Sequence, residues 1–424
     1  ADLFDMDINA VYTRSINSPI VAAKAIHRDE SLSVAYIGAV DEHSPAIIPL
    51  EERSIVLSDV GRSISNITRA TYSFGNNARI GGLFTSRNFP REGSNYVSGL
   101  DGHIQLPENI EIQAQALFSR TTEATSIKNG DSGYFSNGKH TIEFDGESFT
   151  GHSSNFFIGR RTDGLDVELS FAERSPDFRA ANGSIFQNDF QQVSSWIGYK
   201  FPFAESAFLK EFDMSLGADY RTNSLGERKY RALRPELDFS FPAQSNFHIA
   251  YRRSAERFHE IEFPDIYFFN CWGGTHPTGW MDLNFAVTTG HIIARSAAPA
   301  AIGRGLDFYL GASFKILGSF IIAPEYDYSR IDTIDKENAP YYSGAIYRTR
   351  LSYQFSRELS ARLIVQYNEF ASAFEIDPLL TYQINPLSSF YLGSSHNYRT
   401  FDQMDGLIPS DRQFFAKFQY LFQD

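Results

Sequence analysis

The sequence has little cysteine, no long apolar run and no excess of basic charge. Its 424 residues include a single cysteine, Cys271, which excludes an internal disulfide and any CxxC metal or redox site. No stretch approaches the roughly 18 consecutive apolar residues that a membrane-spanning helix needs, so a helical membrane protein is excluded. The 38 basic residues are outnumbered by 51 acidic ones, and the net charge of -13 argues against a nucleic-acid partner.

Catalytic and cofactor motifs are also missing. The sequence contains no GxSxG, HExxH, P-loop, GxGxxG or EF-hand loop, so we expect no enzyme activity, no metal site and no cofactor. The ten histidines lack metal-ligand spacing, and His103, across from Glu111, is interpreted as one of a solvated pair. The NGDSG segment at 129–133 is interpreted as a flexible loop, because calcium binding requires several converging oxygen ligands.

The sequence is instead rich in aromatic residues and alternates between apolar and polar positions. Aromatic residues make up 15% of the chain, and Phe is as numerous as Lys and Arg together. In the 306–316 segment every second residue is apolar: Leu306, Phe308, Leu310, Ala312, Phe314 and Ile316. The same period recurs at 96–106, 110–118, 165–171, 237–241, 320–328, 345–355 and 359–367. A period of two is that of a β-strand with one apolar face, so the sequence predicts an all-β fold.

The connections between the predicted strands alternate in length. Short turns occur at 75–77, 107–109, 162–164, 317–318 and 356–358, whereas longer polar loops occur near 41–63, 122–142, 177–187, 290–303, 332–340 and 400–411. Bacterial outer-membrane barrels have short periplasmic turns, long extracellular loops and an apolar face toward lipid. The sequence therefore predicts one domain over residues 1–424, a single large antiparallel transmembrane β-barrel in the lipid of the outer membrane.

About 22 strands are predicted, within a range of 20–24. This count assumes that 258–290 holds two strands on either side of a turn at 270–279. An even number places both termini on the periplasmic rim. The last predicted strand carries Phe414, Phe418, Tyr420 and Phe422, and it resembles the aromatic-ended final strand by which such barrels are recognised for insertion.

Several segments in the first quarter of the chain carry a resemblance to a known family. They are VYTRSI at 11–16, AAKAIH at 22–27, LSVAYIGAV at 32–40, NARIGGLFTSRN at 77–88 and GLD at 99–101. They resemble an uncharacterised family of outer-membrane β-barrels, common in Bacteroidota, whose members join an N-terminal carbohydrate-binding-like β-sandwich to the barrel. His27 departs from the glycine expected there. The resemblance implies a barrel of this type, trimmed or encoded apart from its β-sandwich, and implies no known chemistry.

Charged residues on the polar faces are predicted to line the lumen. Arg348, Arg350 and Arg362 form a basic set on adjacent strands, and the acidic residues are Glu236, Asp238, Asp307, Glu325, Asp327, Glu375 and Asp377. Opposed rows of charge create a transverse field that orients polar solutes and sets ion preference. The alternative is that these charges only solvate a wide lumen or pair with a plug.

The leading functional hypothesis is an outer-membrane channel for polar solutes, with saccharides suggested by the family's sandwich domain. A barrel of this size is too wide for its own side chains to fill, so it is open or is closed by an inward loop, a missing N-terminal piece or a periplasmic or outer-membrane subunit. A second hypothesis is a structural barrel that anchors a multi-protein surface complex. A membrane-embedded hydrolase built on Ser394 and His396 is less favoured, because a catalytic constellation is lacking. A soluble sandwich or propeller enzyme with paired carboxylates such as Glu325 and Asp327 is also less favoured, because its apolar strand faces would need a second layer.

Overall fold

The computed structural model describes residues 4, 6–52, 54–75, 77–90, 93–125, 133–204, 207–334, 340–385, 388–400 and 406–420. Asn76 of the predicted 75–77 turn, residues 129–132 of the NGDSG segment, part of the 400–411 loop and the end of the chain from position 421 lie outside these ranges. No helix in the described part of the chain is long and apolar enough to cross a membrane.

The described chain forms β-strands throughout. The strands are β1 (Pro19–Arg28), β2 (Leu32–Asp41), β3 (Ala46–Pro49), β4 (Ser54–Leu57), β5 (Ser63–Phe74), β6 (Ala78–Asn88), β7 (Ser94–Leu106), β8 (Ile110–Thr122), β9 (Tyr134–Phe135), β10 (His140–Thr141), β11 (Ser148–Arg161), β12 (Leu165–Arg174), β13 (Phe190–Pro202), β14 (Glu211–Thr222), β15 (Arg228–Phe241), β16 (Ser245–Phe258), β17 (Ile261–Thr278), β18 (Met281–Ala294), β19 (Ala301–Ile316), β20 (Phe320–Thr333), β21 (Tyr342–Gln354), β22 (Leu359–Asn368), β23 (Ala373–Asn385), β24 (Ser388–Arg399) and β25 (Ile408–Gln419). Twenty-one of them belong to one sheet, while β3–β4 and β9–β10 are separate small hairpins in long loops.

The strand count and most turns agree with the sequence. Twenty-one strands fall within the predicted range of 20–24, one fewer than the central value. The turn predicted at 270–279 is wrong, because residues 270–278 continue β17 and the chain reverses at Gly279 and Trp280. The glycines and asparagine of that segment favour a turn locally, but cross-strand pairing from Phe268 to Thr275 with β18 keeps the segment extended.

The chain divides into two compact units. Unit 1 comprises Ala1–Tyr199, Leu216–Leu233 and Ala255–Glu262. In it, β1, β2, β5, β6, β7, β8, β11, β12 and β13 pair antiparallel in that order. Along β5 the residues Ser63, Ser65, Ile67, Arg69 and Thr71 are buried, while most of the intervening side chains are exposed. One face of this sheet is therefore covered by other parts of unit 1.

Unit 2 comprises Lys200–Ser215, Arg234–Ser254 and Phe263–Asp424. Here β17 to β25 pair antiparallel in chain order. The apolar face carries a row of touching rings, Phe308, Tyr326, Tyr347 and Tyr367, with centroids 5.1 to 6.5 Å apart. This row of aromatics on one face explains how the chain holds many rings without a large globular core.

Candidate functional site

The covered face of unit 1 carries a dry apolar patch. Ile37, Ile67, Leu83, Val97 and Leu117, one each from β2 and β5 to β8, are all buried there. Two pieces of chain lie on this patch: the N-terminal segment, residues 6–18, and the inner loop, residues 175–189, which together we call the cover. The cover contributes Ile8, Ala10, Phe178 and Ile185 to the same cluster. Each buried side chain of this size is worth about 1.5–3 kcal/mol relative to exposure, so the cover is docked on this face by its own hydrophobic contacts.

Buried polar groups of the strands also hold the N-terminal segment. The Ile8 amide donates to the Gln115 side-chain carbonyl at 2.8 Å. Arg87, which is almost fully buried, donates to the Ser15 carbonyl at 3.0 Å. The Asp41 carboxylate accepts from the amides of Asn17 and Ser18. Because a buried polar group without a partner is costly, these contacts fix the path of the segment as well as its attachment.

The inner loop is held in the same way. Asn95 on β7 donates to the Arg179 carbonyl at 3.1 Å and accepts from the Ala181 amide at 2.9 Å. Arg87 also donates to the Ala181 carbonyl at 2.6 Å. The Tyr12 amide donates to the Asn182 carbonyl at 2.7 Å, which joins the two pieces of the cover to each other.

Two glycines permit these close approaches. A Cβ on Gly183 would lie 2.4 Å from the Asn9 carbonyl oxygen, and one on Gly151 would lie 2.3 Å from the Phe178 nitrogen. Both clashes are with backbone, so a side chain at either position would push the cover away from the strands.

The N-terminal segment extends along the strands. At one end Met6 contacts Arg69, which is bonded to Asp101, and Met6 and Asp7 line a small polar cavity with His103 near the short 107–109 turn. At the other end residues 15–18 meet Arg87 and Asp41, where the longer loops begin. Strand β1 begins only at Pro19, and the segment that precedes it is part of the cover. The predicted pair of His103 and Glu111 is confirmed at 3.1 Å.

One sequence signal could have located the patch. Leu83 and Phe84 on β6, and Leu117 and Phe118 on β8, are adjacent apolar pairs, so both faces of these strands are apolar at one level. A strand with water on one face has no reason for such pairs. The signal marks the strands on which the cover lies but does not reveal which segments lie there, because that depends on contacts between residues as much as 167 positions apart.

A second cluster is formed by two long loops of unit 1. Ile48 and Ile55 of the β3–β4 hairpin pack with Phe135, Ile142 and Phe149. Arg179 of the inner loop stacks on the Phe135 and Phe149 rings at 4.6 and 5.5 Å. Burial lowers the pKa of Arg179 to about 10, and Glu123 and Asp177 oppose that shift. The long loops are thus packed against the cover.

The ten predicted lumen residues all lie in unit 2, on β15 and on β19 to β23. Arg348 forms an ion pair with Glu325 on the adjacent strand at 3.6 Å, and Gln366 donates to Glu375 at 3.2 Å. Basic and acidic groups therefore mix within one patch of neighbouring strands. Arg350 is paired in register with Ala323 and Ile364, and Arg362 with Ser352 and Leu379. That these side chains line a lumen stays a prediction.

The remaining acidic residues of that set have different surroundings. Asp307 accepts a hydrogen bond from the Ser329 hydroxyl. Asp327 and Asp377 are paired in register with Ile346 and Ile364 on the neighbouring strands. An Asp238 carboxylate oxygen lies 2.7 Å from His248 Nδ1. Together with Glu236, these side chains offer three possible metal-ligand atoms that lie within 4.8 Å of one another. Because Arg234 bonds Glu236 and His248 stacks on Trp272, each member already has a protein partner.

Ser394 and His396 do meet on β24. The Ser394 hydroxyl oxygen lies 3.0 Å from His396 Nε2, and Ser394 is buried at the wall of an apolar cavity of about 530 Å³. His396 packs edge-on against Phe414. A nucleophile–base pair requires a third group that orients the base, and among the described residues no carboxylate or amide is bonded to Nδ1 of His396. The structure brings the two residues together without completing a hydrolase site.

An antiparallel sheet of 21 strands with one apolar and one polar face defines the class of large outer-membrane β-barrels. Comparison with protein families and with curated sequences gave no match. Solved structures do match. The FrpB iron transporter of Neisseria meningitidis aligns with a TM-score of 0.56 and 10% identity over 94% of this chain and 78% of its own. The siderophore receptor PirA of Acinetobacter baumannii aligns with a TM-score of 0.52 and 8% identity over 88% and 72%.

The ferric enterobactin receptor PfeA of Pseudomonas aeruginosa, a Q482A mutant in complex with enterobactin, gives a TM-score of 0.51 and 10% identity over 92% and 73%. At these identities the likeness concerns the fold. The chain has the fold of an outer-membrane β-barrel, as the alternation predicts. All three are named as receptors or transporters.

Proposed function

We propose that the protein is an outer-membrane channel for polar solutes that is held closed by the cover. The observation that carries the proposal is the docking of residues 6–18 and 175–189 on the covered face of unit 1 by both apolar and buried polar contacts. In a barrel this face is directed to the lumen, so the cover reduces the passage. Opening then requires the cover to move, either by itself or when a periplasmic partner engages it.

The proposal also covers the direction of the N-terminal segment relative to the membrane and the family of the chain. The N-terminal segment starts near the short-turn ends of the strands and reaches the long-loop ends before β1. Short turns are periplasmic in barrels of this class, so we place the start of the segment toward the periplasm, where a partner reaches it. We retain the expectation that both termini are periplasmic. We also retain the expectation that the chain belongs to the Bacteroidota-type family whose members carry a sandwich domain.

The charged polar face of unit 2 suggests the kind of solute. Arg348, Glu325 and Glu375 are half-buried to exposed and form a mixed hydrogen-bonding surface. Such a surface favours neutral or zwitterionic polar solutes over apolar ones, since it offers both donors and acceptors. Saccharides are our first candidates. Ferric siderophores, the cargo named for the similar receptors, are the second.

Conductance in planar lipid bilayers tests the proposal. The purified protein is compared with the double variant Gln115→Leu, Asn95→Leu. These two strand residues make three hydrogen bonds to the cover, and the variant removes all three. At about 1 kcal/mol net for each bond, about 3 kcal/mol is lost from docking. We expect rare openings for the wild type and a much larger open fraction for the variant. Arg160→Ala, which breaks an exposed ion pair with Glu108, serves as the control and is expected to behave as the wild type.

Liposome swelling with saccharides of increasing size, and uptake of ferric enterobactin, then separate the two solute classes. If both the wild type and the double variant are folded and neither conducts, the proposal that the protein is a channel is refuted. Silence together with co-purifying subunits supports the structural alternative, a barrel that anchors a multi-protein complex.

A further inference from the structure

Three carboxylates converge where the two ends of the long loop between β8 and β11 meet the strands. Glu123 follows β8 directly, and Asp145 and Glu147 precede β11. Their oxygens lie within 4.8 Å of one another. Gly146, between the two later residues, has a φ of +97°, a conformation that glycine adopts without strain. The Glu123 amide donates to the Glu147 carbonyl at 2.9 Å, which closes the loop around the cluster.

Glu123 has the environment of a ligand without its ion. The residue is only 8% exposed, and its Oε2 atom has no hydrogen-bond partner among the described residues. Burial raises the pKa of Glu123 to about 7. The charge of Arg179 and a hydrogen bond from the Asp145 backbone lower it, and the charges of Asp145 and Glu147 raise it. A buried carboxylate oxygen without a partner is unfavourable unless a cation or a proton lies beside it.

The local charge favours a divalent cation. When Glu123 is deprotonated, as cation binding requires, the three carboxylates carry -3 and the nearby Arg179 guanidinium +1, which leaves -2. The Thr141 amide donates to Glu147, the Thr141 hydroxyl donates to Asp145, and His140 Nδ1 lies 3.2 Å from Glu147, so these neighbours orient the two carboxylates. The remaining charge matches one Ca²⁺ or Mg²⁺.

We propose that Glu123, Asp145 and Glu147 bind a calcium ion that fastens the long β8–β11 loop to the end of β8. Three carboxylates offer up to six oxygens, and Ca²⁺ takes about six to eight oxygen ligands from carboxylates, carbonyls and waters at roughly 2.3–2.6 Å. Mg²⁺ requires a tighter octahedron with ligands at about 2.0–2.1 Å and keeps more of its waters. The sequence directed attention to the NGDSG segment of the same loop, but the converging carboxylates come from the residues that flank it. The site does not depend on the proposed transport function.

Isothermal titration calorimetry of the folded protein in detergent with CaCl₂, after treatment with a chelator, tests the proposal. We expect one site for each chain with a Kd of about 10⁻⁴–10⁻³ M, the range of extracellular calcium modules, and weaker binding of Mg²⁺. Glu123→Gln keeps the shape of the side chain and is expected to weaken Ca²⁺ binding at least tenfold. The control Glu143→Gln removes one charge from an exposed residue of the same loop and is expected to leave binding unchanged.

Limited proteolysis gives a second measurement that does not use binding heat. Ca²⁺ is expected to slow cleavage between positions 124 and 146 in the wild type and in Glu143→Gln, but not in Glu123→Gln. Equal weakening by both substitutions would show nonspecific attraction to a negative surface and would overturn the proposal. Absence of saturable Ca²⁺ binding in the folded wild type would also overturn the proposal. The partner of the buried Glu123 oxygen would then be a proton or a water.

Discussion

Replacing Phe178 by alanine is expected to detach the cover while the strands remain folded. The Phe178 ring is fully buried and packs in the cluster that holds Ile8, Val97 and Leu117. Truncation of a buried Phe to Ala costs about 3–5 kcal/mol. Because the strands are paired along their length by backbone hydrogen bonds that this ring does not make, we assign the loss to the docking of the cover. About 3 kcal/mol raises the detached population about 150-fold.

Amide hydrogen exchange measures this directly. The Ile8 and Tyr12 amides are hydrogen-bonded in the docked cover, so peptides spanning residues 6–18 and 175–189 are expected to exchange about two orders of magnitude faster in Phe178→Ala. Phe118→Ala is the matched control, because that ring is 63% exposed on the opposite face of β8. Heat-modifiable gel migration shows that both variants are folded. If these peptides stay as protected in folded Phe178→Ala as in the wild type, the cover is not held by its apolar cluster and the reasoning is refuted.

Three further predictions concern single residues. Gly183→Ala places a methyl group against backbone of the N-terminal segment and is expected to speed exchange of residues 6–18, whereas Gly279→Ala, with open space around it, is expected to be neutral. Leu310→Lys on the apolar face of β19 is expected to cost about 2–4 kcal/mol in folding into lipid vesicles, measured by urea titration, while Tyr309→Lys at the same depth on the polar face costs less. Arg348→Glu is expected to shift the reversal potential of the open channel, measured in a salt gradient across a bilayer, toward cation preference; an unchanged potential would remove this residue from the conduction path.

Much of the fold was predictable from local pattern. The alternation in segments such as 306–316 reports the two faces of a strand, because successive side chains of a strand point to opposite sides. The short turns at 107–109 and 317–318 followed from their turn-forming residues, and both are confirmed. The turn predicted at 270–279 failed because its local turn preference is weaker than the pairing of β17 with β18.

The candidate site was predicted less well. The charged set around Arg348 was found because charge on a polar strand face is visible in the alternation. The cover was missed, because residues 6–18 and 175–189 carry no regular period and their partners are distant in sequence. The carboxylate cluster was missed for the same reason, since Glu123 and Asp145 are separated by a loop whose length hides their proximity.

The sequence by itself determined that the chain forms antiparallel strands with an apolar and a polar face, because that period is a local property of the backbone. It also determined that membrane-spanning helices are absent, because those need long apolar runs. Only the tertiary structure decided what lies on the covered face of unit 1 and which carboxylates converge beside Glu123. Those contacts bring together residues far apart in the chain, and their free energy depends on burial and exact partners that no local pattern records.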